Sequence, residues 1–280
     1  QTVFSILNQD IKGRDYEIVF SDQGSTDGTL EVIKDMVSHY NGPHKVHILQ
    51  CPVTERIGRG GLIYHINWLH DRLDYDFWIT CSADDVDTPE RARRTVETLE
   101  TLERKPLFLA AGQYFLLPDG VYTGETAVPR ESRWVEPIEC ERDMVGGSST
   151  GAWDPAIMQQ YGPLPDECLV DVYMPFCAAL EDRLYYLFEM LHAYIKRPDE
   201  DNTGLEGLIR LAEAKGDKDE VLRLRELGMF ELAGNVALMA NVAKVRWDKE
   251  EDPIKKEKLS EVCVFMYNRM LNQLRGWIDV

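Results

Sequence analysis

The chain has 280 residues, of which 44% are hydrophobic, and a formal net charge of -18 at neutral pH. These values predict a globular protein with a sizeable core, formed by one large domain or by one domain with an appendage. The negative charge argues strongly against nucleic acid as a partner, because phosphate binding depends on clustered Lys and Arg. No apolar run is long enough to span a membrane, whereas peripheral contact with one stays open.

The six cysteines are scattered along the chain without a C-x-x-C pair. A chain of this length needs no disulfide staples, so the pattern indicates reduced thiols, several of them in the core. We therefore expect a cytoplasmic protein, with attachment to the inner face of the membrane as a further possibility.

The first strong pattern is a strand, a tight polar loop and a helix. Residues 17–21 form a short β-branched and aromatic run that stops at Asp22, and residues 23–28 are turn formers. A helix is predicted from Thr29, with Asp27 as its N-cap, because apolar residues follow at spacings of three and four. The carboxylate of Asp22 is thus expected at the carboxyl end of a strand, where open α/β sheets bind ligands.

The same order of elements returns about sixty residues later. Residues 76–81 are an apolar run, residues 82–88 are acidic and turn-like, and Pro89 starts a predicted helix. Asp84 and Asp85 therefore lie at a second strand end. Mg²⁺ and Mn²⁺ prefer carboxylate oxygens, so these two aspartates are candidate ligands of a divalent cation.

Alternating strands and helices continue through the first two hundred residues. Strands are predicted at 46–51 and 107–117 and helices at 62–73 and 175–195, with a polar, irregular stretch between them at 124–143. This alternation predicts an α/β fold with a mostly parallel sheet covered by helices on both faces.

The last part of the chain has a different pattern. Residues 197–204 form a charged, turn-rich linker, and helices are predicted at 205–214, 219–247 and 255–277. We predict a catalytic domain at 1–197 and an all-helical C-terminal region at 198–280. This region is expected to pack against the first domain, with an oligomer contact or membrane-surface docking as alternatives.

Several of these motifs together resemble those of a known enzyme family. They are D-Q-G-S-T-D at 22–27, A-D-D at 83–85 with P-E-R at 89–91, S-I-L-N-Q at 5–9, and the G-x(5)-N segment at 61–67. In this order they resemble the nucleotide-sugar half of a GT-A glycosyltransferase of family 2, most closely over the first hundred residues. The resemblance implies a GT-A (Rossmann-like) fold and inverting transfer of a sugar to an acceptor hydroxyl. Family members begin with a strand, so the first strand is apparently missing here.

The resemblance also implies roles for residues on the donor side. Asp85 would hold Mn²⁺ or Mg²⁺ and Asp84 the ribose, while Asp22 and Gln23 would recognise the nucleoside. Gln23 replaces an acidic residue of the family pattern, which leaves the identity of the base open. Either Arg56 or Arg59 would contact the base or the diphosphate. A UDP-sugar is the favoured donor, with GDP- or dTDP-sugars as alternatives.

On the acceptor side, the family's base is the Asp of an E-D pair that opens a helix. The Glu181-Asp182 pair precedes a predicted helix at 184–191, so Asp182 is the predicted base, with Asp171 in reserve. His192 is the nearest candidate for a histidine that completes the metal site, a ligand that the motifs leave unassigned. The implied acceptor is a saccharide or lipid-linked hydroxyl, in surface polysaccharide or glycoconjugate synthesis.

Two other function classes stay open. A serine hydrolase would use Ser149, Asp171 and His192, since residues 147–151 match G-x-S-x-G, although the stretch before them is a poor strand. A degenerate, non-catalytic nucleotide-sugar binding module would explain both Gln23 and the missing first strand.

Overall fold

The structure is a computed structural model that describes residues 1–11, 13–14, 16–54, 59–142, 148–166, 168–196 and 205–278. The first half of the chain forms helices and strands in alternation. Its elements are α1 (Thr2–Leu7), β1 (Glu17–Asp22), α2 (Thr29–Ser38), β2 (Lys45–Gln50), α3 (Arg59–His70), β3 (Trp78–Ile79), β4 (Val86–Asp87), α4 (Arg91–Thr101) and β5 (Phe108–Leu116).

The second half completes the sheet and then becomes entirely helical. Its elements are β6 (Tyr122–Ala127), β7 (Arg133–Trp134), α5 (Pro137–Arg142), a 3₁₀ turn (Ser148–Thr150), β8 (Gly151–Trp153), α6 (Ala156–Tyr161), α7 (Val170–Leu180), β9 (Leu184–Ile195), α8 (Leu205–Lys215), α9 (Lys218–Lys249) and α10 (Pro253–Ile278). The predicted C-terminal helices are confirmed, and the predicted linker at 197–204 lies outside the described residues.

The strands form two sheets. β1 and β2 pair in parallel as a separate two-stranded sheet, and the other seven strands form a sheet with the path β3-β8-β5-β9-β4, to which β6 and β7 add. Among the strands that the structure describes in the larger sheet, only β5 and β9 pair in parallel. The sheet is therefore mixed rather than mostly parallel. One cause is the short turn between β5 and β6, which is too short for the crossover that parallel neighbours need.

The predicted helix at 175–195 is wrong, because α7 ends at Leu180 and residues 184–195 form β9. This segment is rich in aromatic residues, a composition that suits a pleated surface, and its partner β5 decides its structure. β9 carries two extra residues where its pairing with β5 shifts between Leu187 and Met190. A side chain at Gly112, opposite this bulge, would lie 2.6 Å from Val128, so only glycine fits.

The predicted irregular stretch at 124–143 also differs, since β6, β7 and α5 occupy much of it. β6 pairs with β5 and β7 pairs with β9, so tertiary contacts order a segment with little apolar periodicity of its own.

One large core joins the sheet to the helical region. It contains the buried face of β5, most of α7, and residues of α9 and α10 that include Val236, Met239, Val262 and Met266. The six cysteines are reduced thiols, and four of them are buried, which confirms that several lie in the core. Among the described residues, no helix is long and apolar enough to cross a membrane.

Candidate functional site

A buried histidine lies between two carboxylates where β4 meets β9. Asp87 of β4 is directly opposite His192 of β9 in this antiparallel pair. The His192 Nδ1 atom lies 2.7 Å from Asp87 Oδ1, and the Nε2 atom lies 3.2 Å from Asp85 Oδ2. Exposure of the side chains is 0% for His192, 2% for Asp85 and 4% for Asp87. Water therefore screens these charges only weakly.

The two sides of the imidazole ring differ. In the tautomer that donates Nδ1–H to Asp87, Nε2 keeps its lone pair, which is directed toward Asp85. The Nε2 atom has no hydrogen-bond partner among the described residues, and Asp85 Oδ1 already accepts a bond from the backbone N–H of Ile195 at 3.1 Å. A nitrogen lone pair and a carboxylate oxygen that face each other fit a bound divalent cation.

Arg91 forms an ion pair with the other carboxylate, that of Asp87. Its guanidinium is 1% exposed, pairs with Asp87 and also donates to the carbonyl oxygen of Gly151. Ligand atoms of Cys81, Asp87 and His192 lie within 4.8 Å of one another, which gives a second grouping of metal-ligand type. The positive charge of Arg91 disfavours a cation there, and burial raises the pKa of the Cys81 thiol, which disfavours the thiolate. The Asp85 side of His192 is the better cation site.

Asp84 is the neighbour of Asp85 in the chain, but its side chain is exposed. The structure thus gives the two neighbouring aspartates different environments. Asp85 faces His192, whereas Asp84 is accessible to a bound molecule.

Asp22 organises the loop after β1. Its carboxylate accepts hydrogen bonds from the backbone N–H groups of Gly24 at 3.0 Å and Ser25 at 3.2 Å. The Nε2 atom of Gln23 is buried and has no hydrogen-bond partner among the described residues. His65 of α3 contacts the strand that precedes this loop, and its Nε2 atom lies 2.6 Å from Ser21 Oγ of β1. Burial lowers the pKa of His65, and the charge of Asp22 opposes this shift.

The two predicted donor arginines are described only in part. Arg56 lies outside the described residues, and of Arg59 the structure describes only that it begins α3.

Asp182 occupies a different place from the one that its predicted role requires. It follows α7 instead of opening a helix, and its φ of 55° is left-handed. The N–H of Asp182 bonds to the carbonyl of Ala179, and that of Arg183 to the carbonyl of Ala178, which is the pattern of a Schellman C-cap. The stretch of β5 that pairs with residues 184–192 runs from Phe108 to Gln113, so at roughly 3.3 Å per residue Leu184 and His192 lie roughly 17 Å apart along the sheet. The structure does not bring Asp182 to the Asp85–His192 pair.

Asp171 lies in the first turn of α7, at the end of this helix opposite Asp182. Only residues 181–183 connect α7 to β9, and α7 contacts both β5 and β9. A short connection between a helix and the next strand favours antiparallel packing of the two, so Asp171 is expected toward the His192 end of β9.

The residues of the hydrolase alternative do not form a catalytic triad. Both ring nitrogens of His192 face carboxylates, so neither is available as a base for Ser149. Ser149 lies in the 3₁₀ turn that precedes β8, whereas a nucleophile elbow follows its strand.

Sequence reasoning missed Asp87 and Arg91. Asp85 and Asp87 are two residues apart in an extended segment, so their side chains share a face, and this spacing was the available signal. Arg91 is four residues beyond Asp87, within reach of an ion pair at the start of α4.

Known proteins resemble this chain in part of its sequence and in its fold. Residues 1–111 match the family model described as glycosyl transferase family 2. No curated protein matches the chain in sequence. The crystal structure of S. aureus TarS 1-349 in complex with UDP has a TM-score of 0.61 at 14% identity, covering 97% of this chain and 67% of that one.

A second crystal structure of S. aureus TarS 1-349 has a TM-score of 0.53 at 14% identity. It covers 98% of this chain and 86% of that chain. The resemblance to glycosyl transferase family 2 is therefore confirmed over residues 1–111, and the chain has the fold of a GT-A glycosyltransferase.

Proposed function

We propose that this protein is a metal-dependent, inverting glycosyltransferase that moves a sugar from a UDP-sugar to an acceptor hydroxyl. The observation that carries the proposal is the buried His192, whose Nε2 atom lies 3.2 Å from Asp85 Oδ2 and has no hydrogen-bond partner among the described residues. The similar S. aureus structure was solved with UDP, which supports UDP as the nucleotide.

On the donor side, Asp85 and His192 would hold Mn²⁺ or Mg²⁺. The bound cation would supply a Lewis acid that stabilises the negative charge of the departing diphosphate. Asp84 would bind the ribose, a role that its exposure beside Asp85 allows. Asp22 holds the loop that carries Gln23, and the amide of Gln23 would donate to an acceptor atom of the nucleoside. Arg56 or Arg59 would contact the base or the diphosphate.

On the acceptor side, Asp171 is a better candidate for the base than Asp182. Asp171 is exposed in the first turn of α7, toward the His192 end of β9, whereas Asp182 caps the far end of the same helix. The carboxylate of Asp171 takes the proton of the acceptor hydroxyl as the acceptor oxygen bonds to the anomeric carbon. The bond from that carbon to the diphosphate oxygen breaks, and UDP leaves with the electron pair. Attack opposite the leaving group inverts the anomeric configuration.

We propose a saccharide or lipid-linked acceptor, in surface polysaccharide or glycoconjugate synthesis, at or near the inner face of a membrane. The exposed position of Asp171 is compatible with a large acceptor. A non-catalytic binding module remains the competing function, because it would use the same donor pocket without turnover.

Calorimetric titration of UDP and of GDP, with and without Mn²⁺, tests the donor site. UDP should bind only with the cation, and Asp85→Asn should abolish this binding, whereas exchange of the exposed Asp35→Asn on α2 should not change it. Cation-independent binding that survives Asp85→Asn would contradict the proposal.

Turnover distinguishes the enzyme from the binding module. Release of UDP from a panel of UDP-hexoses, with added saccharide acceptors, should fall roughly 10²–10⁴-fold in Asp171→Asn and remain near wild type in Asp182→Asn. Binding of UDP with no release by wild type would favour the binding module.

A further inference from the structure

The helix α9 of the C-terminal region is joined to α7 by a polar contact at each end. At the start of α7, Asn235 Oδ1 accepts a hydrogen bond from the backbone N–H of Leu169 at 3.0 Å. At the end of α7, Arg246 Nε donates to Glu181 Oε1 at 2.7 Å. Leu169 is the N-cap residue of α7 and Glu181 is its C-cap residue. The two contacts therefore hold the two termini of one helix.

The two helices match in length and direction between these contacts. The interval from Leu169 to Glu181 and the interval from Asn235 to Arg246 each correspond to roughly 16–18 Å of helix. Inside the interval, α9 packs into the core through three residues with at most 1% exposure, at helical spacing: Val236, Met239 and Ala243. Thus α9 runs parallel to α7 over the whole length of α7 and supports this helix at both ends.

The start of α7 lacks a capping side chain of its own. Its N-cap is a leucine that makes no side-chain cap hydrogen bond, whereas Ser, Thr, Asp or Asn usually occupies this position. The N–H of Leu169 precedes the helix and finds its acceptor in Asn235, which is 1% exposed. Asp171 follows two residues later. The contact made by Asn235 is therefore next to the residue that the proposed function assigns as the base.

From this arrangement we infer that Asn235 is a positioning residue for Asp171. Through this residue, α9 helps to hold the acceptor site in place. The inference rests on the proposed function, since it takes Asp171 as the base. Loss of the Asn235 contact lets the first turn of α7 fray, which displaces the carboxylate from the acceptor hydroxyl. A displacement of about 1 Å costs roughly 10²-fold in rate.

Three variants separate positioning from general stability. Asn235→Leu removes the acceptor at similar volume, Asn235→Asp retains an oxygen acceptor, and Arg246→Met removes the contact at the other end of α7. With the UDP-hexose that wild type turns over fastest, kcat for UDP release should fall roughly 10–100-fold in Asn235→Leu and recover in part in Asn235→Asp. It should stay within about twofold of wild type in Arg246→Met. The dissociation constant of UDP with Mn²⁺ should be unchanged in all three.

Amide hydrogen exchange provides a readout that is independent of activity. Exchange at residues 169–173 should rise in Asn235→Leu, whereas in Arg246→Met the rise should occur at residues 179–183. The inference is overturned if Asn235→Leu keeps wild-type kcat, if it also loses UDP binding, or if exchange at 169–173 is unchanged. If wild type neither binds UDP nor releases it, the proposed function fails and the inference with it. If Asp171→Asn behaves as expected and only Asn235→Leu keeps its kcat, the inference alone fails.

Discussion

His192 Nε2 and Asp85 Oδ2 lie 3.2 Å apart, and both side chains are buried. In the tautomer that donates Nδ1–H to Asp87, these two atoms are both electron-rich, and they repel each other unless a cation bridges them. The pairing of β4 with β9 fixes Asp87 opposite His192, and Asp85 immediately precedes β4.

We therefore expect His192→Ala to lower the affinity for Mn²⁺ at least tenfold, measured as the Mn²⁺ concentration that half-saturates UDP binding. The matched control is His39→Ala, at the exposed C-cap residue of α2, and it should not change this concentration. Equal Mn²⁺ requirements in the two variants would remove His192 from the cation site.

Asp87→Asn should have two separate effects. An amide can donate to Nδ1 and so favour the other tautomer, in which Nε2 carries the proton, which should weaken Mn²⁺ binding roughly 10–100-fold. The variant also leaves the buried Arg91 without its counter-charge, at a cost of about 3–5 kcal/mol in the free energy of unfolding.

Combining Asp87→Asn with Arg91→Met tests whether these effects are independent. The double variant should regain most of the lost stability in urea denaturation, because no buried charge remains unpaired, but it should not regain Mn²⁺ affinity. Recovery of both would mean that Asp87 acts only through stability.

Asp182→Gly should leave turnover near wild type and should raise the free energy of unfolding by up to about 1 kcal/mol. The gain is expected because a non-glycine residue in the left-handed region is strained, while glycine is the usual residue at this position of a Schellman motif. The converse exchange Gly120→Ala, at a turn with φ of 85°, should lower stability by a similar amount. A large loss of turnover in Asp182→Gly would restore Asp182 as the base.

Stability should depend on pH through His65. Burial lowers the pKa of this group in the folded protein, so between the folded and unfolded pKa values the unfolded chain binds more protons. Stability from this group is complete above the unfolded value of about 6.5 and is lost as the pH falls through the folded value. In urea denaturation at pH 5, 6 and 7, His65→Gln should show a smaller rise of stability with pH than wild type. The exposed His39→Gln should follow wild type.

Local sequence patterns predicted much of the secondary structure and the candidate donor residues. The β-branched run before Asp22 became β1, and the apolar run at 107–117 became β5, because both patterns match the period of a buried strand. The C-terminal helices followed from apolar residues at spacings of three and four. Asp85 was identified because a strand end followed by a proline-initiated helix is a local feature.

Periodicity misled the prediction at 175–195. A continuous apolar run fits a buried helix and a buried strand equally well, and here the pairing with β5 selects the strand for residues 184–195. That error placed Asp182 at the start of a helix, when it caps the end of one. It also hid the opposition of His192 and Asp87, since strand neighbours cannot be recognised before the strand itself is.

The sequence by itself determined the class of fold, the helical C-terminal region and the two acidic strand ends, because each depends on residues close together in the chain. Only the tertiary structure decided which carboxylates share His192, which end of α7 faces it, and that Asn235 holds the start of that helix. These relationships join residues that lie far apart in the chain. Strand pairing and helix packing bring them together, and no local spacing contains that information.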